Sequence, residues 1–184
     1  YIKAQKTLPP YQLQRALFLD RDGVINEDRG YVHRAQDCRW VDGIYDCLQR
    51  AKERYYKIII VTNQSGIGRG YYSEAQFHTF MAWMNQQLGN VFDAIYFCPD
   101  HPVHGQGHYQ RDSWDRKPNP GMFECALKDH AITPLRSIMV GDQPCDLLAA
   151  AKVDMGQCFL FNAQQPLLPG TKRLENLAAL AEQL

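Results

Sequence analysis

The chain has 184 residues, enough for one domain with a sizeable core. Twenty basic and twenty acidic side chains cancel, and no basic block interrupts them, which argues against nucleic acid as a partner. No apolar run is long enough to span a bilayer, so no membrane partner is expected. The polar, mixed opening residues do not read as a signal peptide, and a start on Tyr1 rather than Met points to residues upstream.

Residues 1–14 read as an N-terminal arm, broken by Pro9 and Pro10, ahead of a single domain over 15–184. Ala16 to Leu19 is a short apolar strand. Ile44 to Tyr55 is a helix whose apolar positions are Ile44, Cys47, Leu48, Ala51 and Tyr55. "KIIIVTN" is a β-branched run with an apolar centre, the pattern of a strand buried on both faces. Ser73 with Gln76 three residues on is a capping box, opening a helix with the stripe Phe77, Phe80, Met81, Met84 and Leu88. "AIYF" is a strand, followed by a long polar loop from Cys98 to Lys117. Asn119 and Pro120 read as N-cap and first turn of a helix over Met122 to His130. "SIMV" is a strand, "PCDLLAAAKV" a helix, "QCFLF" a strand, and Leu174 to Leu184 a last helix. Strands alternating with helices predict an α/β fold: a Rossmann-like, mostly parallel sheet with helices on both faces. No insertion is large enough for a separate cap domain, so the site should be open.

The six cysteines are dispersed, with no CxxC pair, as expected of reduced thiols in a cytoplasmic protein. Cys47 and Cys125 fall on the apolar faces of predicted helices. Nothing in the chain calls for an oligomer, and a monomer is expected.

Three strands end in polar residues followed at once by turn residues. The first ends in Asp20 and Asp22, the second in Thr62 and Asn63, a later one in Asp142. In an open parallel sheet the crevice beyond the carboxyl ends of the strands is the usual ligand site, so these residues should converge. Lys117, just before a helix, is placed to reach the same rim. If extended geometry persists through Arg21, Asp20 and Asp22 face one region and repel unless a cation intervenes. Mg²⁺ suits such a site, with Asp142 as a third contributor. A metal, a nucleophilic carboxylate, a lysine and a threonine hydroxyl are what phosphoryl transfer to an aspartate requires. Asp20 would attack phosphorus. Lys117, Thr62 and backbone N–H groups of the following turn would hold the oxygens. Asp22, kept partly protonated by its neighbours, would exchange protons with the leaving alcohol and then with water.

"DRDGV", "VTNQSG", "RKPNPGM" and "VGDQPCD", in this order from Asp20 to Asp146, resemble the haloacid-dehalogenase-like phosphatases. "DRGYVH", "TNQSGIGRG", "YFCP" and "RKPNPGM" are similar to the branch of D-glycero-D-manno-heptose 1,7-bisphosphate phosphatases and to its relative, histidinol-phosphate phosphatase. The resemblance implies Asp20 as nucleophile and Asp22 as general acid/base. It implies Mg²⁺ on Asp20, the Asp22 backbone carbonyl and Asp142, Thr62 and Lys117 on the phosphoryl group, and Arg116 on substrate. Asp28, Arg29, Gly30, Tyr31, Asn63, Gln64, Ser65 and Gln143 are the further expected substrate contacts, for a small phosphorylated substrate.

Two departures stand out. The family often carries zinc in the long loop on Cys-x-His and Cys-x-Cys. Here only Cys98 is in register, and Asp100, Ser113 and Asp115 take the other places, so no structural zinc is expected, although a rearranged site using His101, His104 and His108 is conceivable. Gln143 stands where the branch commonly has a lysine. Arg29, His33, Arg69 and Arg116 are candidates for holding a remote second phosphate, or are plain surface charges.

Competing readings are weaker. "GIGRG" lacks the spacing of a nucleotide loop and reads as a backbone turn. Cys98 as a nucleophile has no base indicated by spacing. Asp146 is suited to brace the site or to cap its helix. A receiver domain would need its phosphoacceptor on a middle strand, where this chain has Thr62 and Asn63. A catalytically dead binding module is at odds with intact Asp20 and Asp22.

Overall fold

The structure is a computed structural model that describes residues 13–184. Most of the expected N-terminal arm lies outside the described residues. Within them, Gln14 is tied to the chain by backbone bonds with Ala131 and Thr133.

Among the described residues, six strands form one parallel sheet. They are β1 (Ala16–Leu19), β2 (Lys57–Asn63), β3 (Ala94–Cys98), β4 (Ile138–Gly141), β5 (Gln157–Phe161) and β6 (Lys172–Leu174). The order is β3-β2-β1-β4-β5-β6. β1 is therefore central, which explains why its four residues are apolar and buried on both faces. The helices are α1 (Ile44–Glu53), α2 (Ser65–Gly68), α3 (Glu74–Gln87), α4 (Gly121–Asp129), α5 (Pro144–Ala151) and α6 (Leu177–Ala181).

Alternation along the strands divides the core. Leu17, Leu19, Ile58 and Ile60 pack with α1, α3 and α6 on one face. Ala16, Phe18, Ile59 and Val61 pack with α4 and α5 on the other. The chain leaves β1 toward β2 and β3, then returns to β4 on β1's other side. This reversal opens a crevice at the carboxyl ends of β1 and β4, where a doubly wound sheet binds its ligands. Among the described residues, the connections after β1 and β2 hold only short helices and turns, with no cap domain.

Several local expectations are corrected. Tyr55 does not belong to the apolar face of α1: it lies past the helix end with φ +60° and is 87% exposed. Cys125 is exposed, whereas Cys47 is buried. The cap of α4 is Pro120 rather than Asn119, whose side chain instead donates to the Ser113 carbonyl. Leu174, expected to open the last helix, instead ends the edge strand Lys172–Leu174 that pairs with β5, and the helix begins at Leu177. Asn176 caps that helix, its side chain accepting from Ala179 N. Three residues, two of them charged, give no recognisable strand period; pairing with Phe159–Phe161 makes them one. The capping box on Ser73 forms as read, and the stripe from Phe77 to Leu88 is buried.

Candidate active site

β1 ends at Leu19, and the next residue, Asp20, turns its carboxylate into the crevice. Lys117 meets it there. Its Nζ donates to Asp20 Oδ1 (3.0 Å), to Asp146 Oδ1 (2.6 Å) and to the Val61 carbonyl (2.8 Å). The lysine arrives from a loop, so its backbone needs an anchor. Asn63 supplies one: its Oδ1 accepts from Lys117 N and its Nδ2 donates to Lys117 O. Asp146 does both things its position suggests. It pairs with Lys117, and it accepts from Gln143 N to complete a capping box on α5.

Asp142 follows β4 and closes the acidic cluster. Ligand atoms of Asp20, Asp142 and Asp146 lie within 4.8 Å of one another, the one grouping of this kind among the described residues. Asp142 Oδ1 is buried without a partner among the described residues. Asp146 is already engaged by Lys117 and Gln143. Asp20 and Asp142 are therefore the acids left to a cation, a donor set of hard oxygens that fits Mg²⁺. Room for Asp142 depends on Gly23: a Cβ there would lie 2.2 Å from Asp142 Oδ2, and its φ of +86° favours glycine in any case.

Crowding of these acids governs their protonation. Burial, and then the charge of Asp146, hold the Asp20 carboxyl well above its usual range against the opposing pull of Lys117. Burial followed by Asp146 raises Asp142 to about 6. For Lys117 burial acts downward, but Asp146 and Asp20 outweigh it and keep the ammonium charged.

Asp22 is arranged differently from the sequence expectation. It lines the same cavity as Asp20, but its carboxylate is outside the acidic cluster and is surrounded by donors. Arg21 Nη2 (2.9 Å) and Asn26 Nδ2 (3.0 Å) reach Oδ1, and Gln64 Nε2 (3.0 Å) reaches Oδ2. The mutual repulsion expected of Asp20 and Asp22 falls chiefly on Asp20, Asp142 and Asp146. Arg21, between the two acids, runs into the core and reaches only Asp22 of the two. It is fully buried, donates to the Val32 carbonyl and lies over the Phe80 ring at 5.1 Å.

Gln64 bridges Asp22 and Thr62, donating to the Thr62 hydroxyl oxygen at 2.8 Å as well. Its amide orientation is set by Tyr72, whose hydroxyl donates to Gln64 Oε1. Burial raises that phenol to about 12, so it stays a donor through the neutral range. His33 stacks on the Tyr72 ring (4.6 Å, 10°), which extends the chain of contacts outward.

The cavity that these groups line is about 400 Å³. Asp28, Gly30, Tyr31, Asn63, Gln64, Ser65 and Gln143 all line it, with Gly66, Tyr72 and Cys145 in addition. Thr62 is buried and absent from the lining. Arg29 lies outside this cavity. Arg116 also lies outside it, and its Nη1 donates to the Asp100 carbonyl at 3.1 Å.

The family model described as polynucleotide kinase 3 phosphatase matches residues 16–164. The D-glycero-beta-D-manno-heptose-1,7-bisphosphate 7-phosphatase of Haemophilus ducreyi is 48% identical over 74% of this chain and 77% of its own length. The D-glycero-alpha-D-manno-heptose-1,7-bisphosphate 7-phosphatase of Burkholderia mallei is 46% identical over 79% of each. Among solved structures, the D,D-heptose 1,7-bisphosphate phosphatase of B. bronchiseptica, complexed with magnesium and phosphate, superposes with a TM-score of 0.79. It shares 30% identity, over 92% of this chain and 97% of that one.

The chain belongs to the haloacid-dehalogenase-like phosphatases, in the heptose-bisphosphate phosphatase branch. This phosphatase is a phosphoric monoester hydrolase.

In this phosphatase the long loop after β3 is held by an ion pair. Asp100, 2% exposed, receives Arg111 Nε at 3.0 Å, and the Cys98 thiol faces the same carboxylate at 4.0 Å. Burial raises the Cys98 thiol, which counts against its use as a nucleophile. Cys145, at the cavity itself, is raised to about 12 by burial and Asp146. His101 accepts from Val103 N and His104 N, and its imidazole is pushed below the ordinary value by burial, then by Arg116, His104 and Arg69.

Tyr72, Arg21 and Asn26 escaped sequence reasoning as members of the site. Tyr72 has no signal of its own; its role needs the turn that brings it back to Gln64. Arg21 was legible only as the odd residue between two acids, and nothing local shows that its buried guanidinium returns to Asp22.

Proposed function

We propose that this phosphatase is Mg²⁺-dependent and removes the 7-phosphate of D-glycero-D-manno-heptose 1,7-bisphosphate through an aspartyl-phosphate on Asp20. It would serve lipopolysaccharide precursor synthesis in the cytoplasm. The observation that carries the mechanism is the pairing of a buried carboxylate, Asp20, with a buried ammonium, Lys117, beside the unpartnered Asp142 oxygen. The substrate rests on the names of the relatives.

Asp20, Asp142 and the Asp22 backbone carbonyl would hold Mg²⁺, which supplies positive charge where phosphate and carboxylate must approach. Lys117 supplies more of it from below. An Asp20 oxygen attacks phosphorus; the P–O bond to the sugar breaks as Asp22 gives its proton to the departing oxygen. Asp22 then takes a proton from water, whose oxygen attacks the aspartyl-phosphate and releases inorganic phosphate. Arg21, Asn26 and Gln64 hold Asp22 in position for both transfers. Gln143, without the charge of the lysine common in this branch, offers hydrogen bonds to the substrate instead.

The test is phosphate release from both anomers of the heptose bisphosphate, from histidinol phosphate and from simple sugar phosphates, with Mg²⁺ and with chelator. The heptose bisphosphate should give the highest kcat/KM, and chelator should abolish turnover. Preference for histidinol phosphate, or turnover that survives chelation, would overturn the assignment.

A further inference from the structure

Zinc, which the family resemblance implies for the loop between β3 and α4, calls for four convergent ligands, chiefly Cys and His. The loop's residues do not fit it. Among the described residues, ligand atoms of three His, Cys, Asp or Glu side chains converge only at Asp20, Asp142 and Asp146. Cys98 keeps its register, but Asp100, two residues on, is taken by a cation of the chain's own: Arg111 Nε reaches Asp100 Oδ2 at 3.0 Å. His101 Nδ1 is occupied by Val103 N and His104 N.

Asp100 ties the loop twice. Its side chain is 3% exposed, and Arg111 is its one ion-pair partner among the described residues. Its carbonyl receives Arg116 Nη1 at 3.1 Å. The outer part of the loop has other fastenings: Gln106 N donates to the Gly68 carbonyl, and the Tyr109 hydroxyl donates to Glu74 Oε1. From Arg111 to Arg116 the bonds run mostly within the segment. Ser113 bonds with Asp115, Arg116 and Asn119, and Trp114 bonds with Gly121 and Glu124 at the start of α4. The Ser113 hydroxyl beside the Cys98 thiol adds a weak tie to β3. Asp100, just past β3, supplies the charged one. Lys117 follows Arg116 directly and donates to Asp20 at 3.0 Å, with Asn63 holding its backbone. The lysine is therefore steadied from one side by Asn63 and from the other by Arg116 on Asp100.

We propose that the Asp100–Arg111 pair stands in for a loop metal and positions Lys117 for phosphoryl transfer. Both are positioning residues, since neither lines the catalytic cavity. The role of Lys117 that they serve rests on the phosphatase reading. A guanidinium supplies the positive charge, and its bond to a buried carboxylate closes the loop as coordination would.

Arg111→Gln leaves Asp100 buried without its counter-ion and should release the segment. Hydrogen exchange should quicken across residues 100–117 and stay at the wild-type rate in β1 and β4. With p-nitrophenyl phosphate and Mg²⁺, kcat should fall about tenfold or more while KM changes by less than about twofold, because Lys117 acts on charge that develops during transfer. Arg111→Lys, which keeps the charge, should recover most of kcat; a loss equal to that of Arg111→Gln would overturn the proposal. Wild-type exchange and kcat in folded Arg111→Gln would overturn it too, as would one equivalent of zinc retained by the Mg²⁺-loaded wild type. If Arg111→Gln does not fold, Asp100→Asn decides: it removes the buried charge along with the pair, and wild-type exchange and kcat there would count against the proposal in the same way. Absence of turnover in wild type would sink the phosphatase reading, while exchange and zinc content would still decide the loop.

Discussion

Replacing Lys117 by methionine isolates the central ion pair. The ammonium is 3% exposed and contacts two carboxylates and a carbonyl. Methionine fills similar volume but leaves Asp20 and Asp146 buried, at 8% and 1% exposure, with no counter-ion. Breaking a buried pair by removing one partner costs about 3–5 kcal/mol. In a chain of this size that corresponds to a fall in Tm of roughly 6–20 °C. The loss should be larger near pH 8 than near pH 5, because Asp20, whose carboxyl is held above its usual range by burial and then by Asp146, takes up a proton more readily as pH falls. A second change, Asp146→Asn, should recover part of the loss when added to Lys117→Met, because it removes one of the two stranded charges. Urea unfolding of wild type, Lys117→Met and the double variant at both pH values measures this. A loss below about 1 kcal/mol, equal at the two pH values and not relieved by Asp146→Asn, would refute the assignment of Lys117 as counter-ion to these acids.

Asp20→Asn should abolish phosphate release yet raise the melting temperature of the chelated protein at pH 8, since Asp20 ionises against burial and Asp146; a lowered melting temperature would contradict that balance. In metal-free protein, Asp142 holds its proton up to about 6, above the ordinary 3.8. Its raised value favours the folded state most below the ordinary value and loses that contribution, at most roughly 3 kcal/mol, as pH rises through 6. Melting curves in chelator from pH 4 to 8 should therefore decline more steeply than curves in Mg²⁺, and parallel curves would count against it. Tyr72→Phe removes the donor that orients Gln64 and should cost about 1–2 kcal/mol of stability. It should lower kcat with little change in KM, because Asp22 loses its fixed orientation; a variant with wild-type kcat would take Tyr72 and Gln64 out of the positioning of Asp22.

Five of the strands and the start of α3 were legible because their signals are local. An apolar run such as "KIIIVTN" buries both faces wherever it lies in the sheet, and the Ser73 box closes within one turn of helix. Asp20, Lys117 and Asp142 were legible because each follows a strand or precedes a helix, at the rim where the sheet opens. β6 was not, since its strand character comes from pairing with β5 rather than from its residues.

The sequence alone determined an alternating α/β chain with its polar residues gathered at strand ends, because burial periodicity and turn chemistry act over a few residues. Which acid shares a cation with which was decided only in three dimensions. Lys117 reaches Asp20 across 97 positions, and Gln64 reaches Asp22 across 42. Arg21 sinks beneath α3 while its two neighbours line the cavity, and Arg116 pins a loop instead of entering it. Such pairings follow from strand order and from the direction each side chain leaves the backbone, and neither is written in any short stretch of residues.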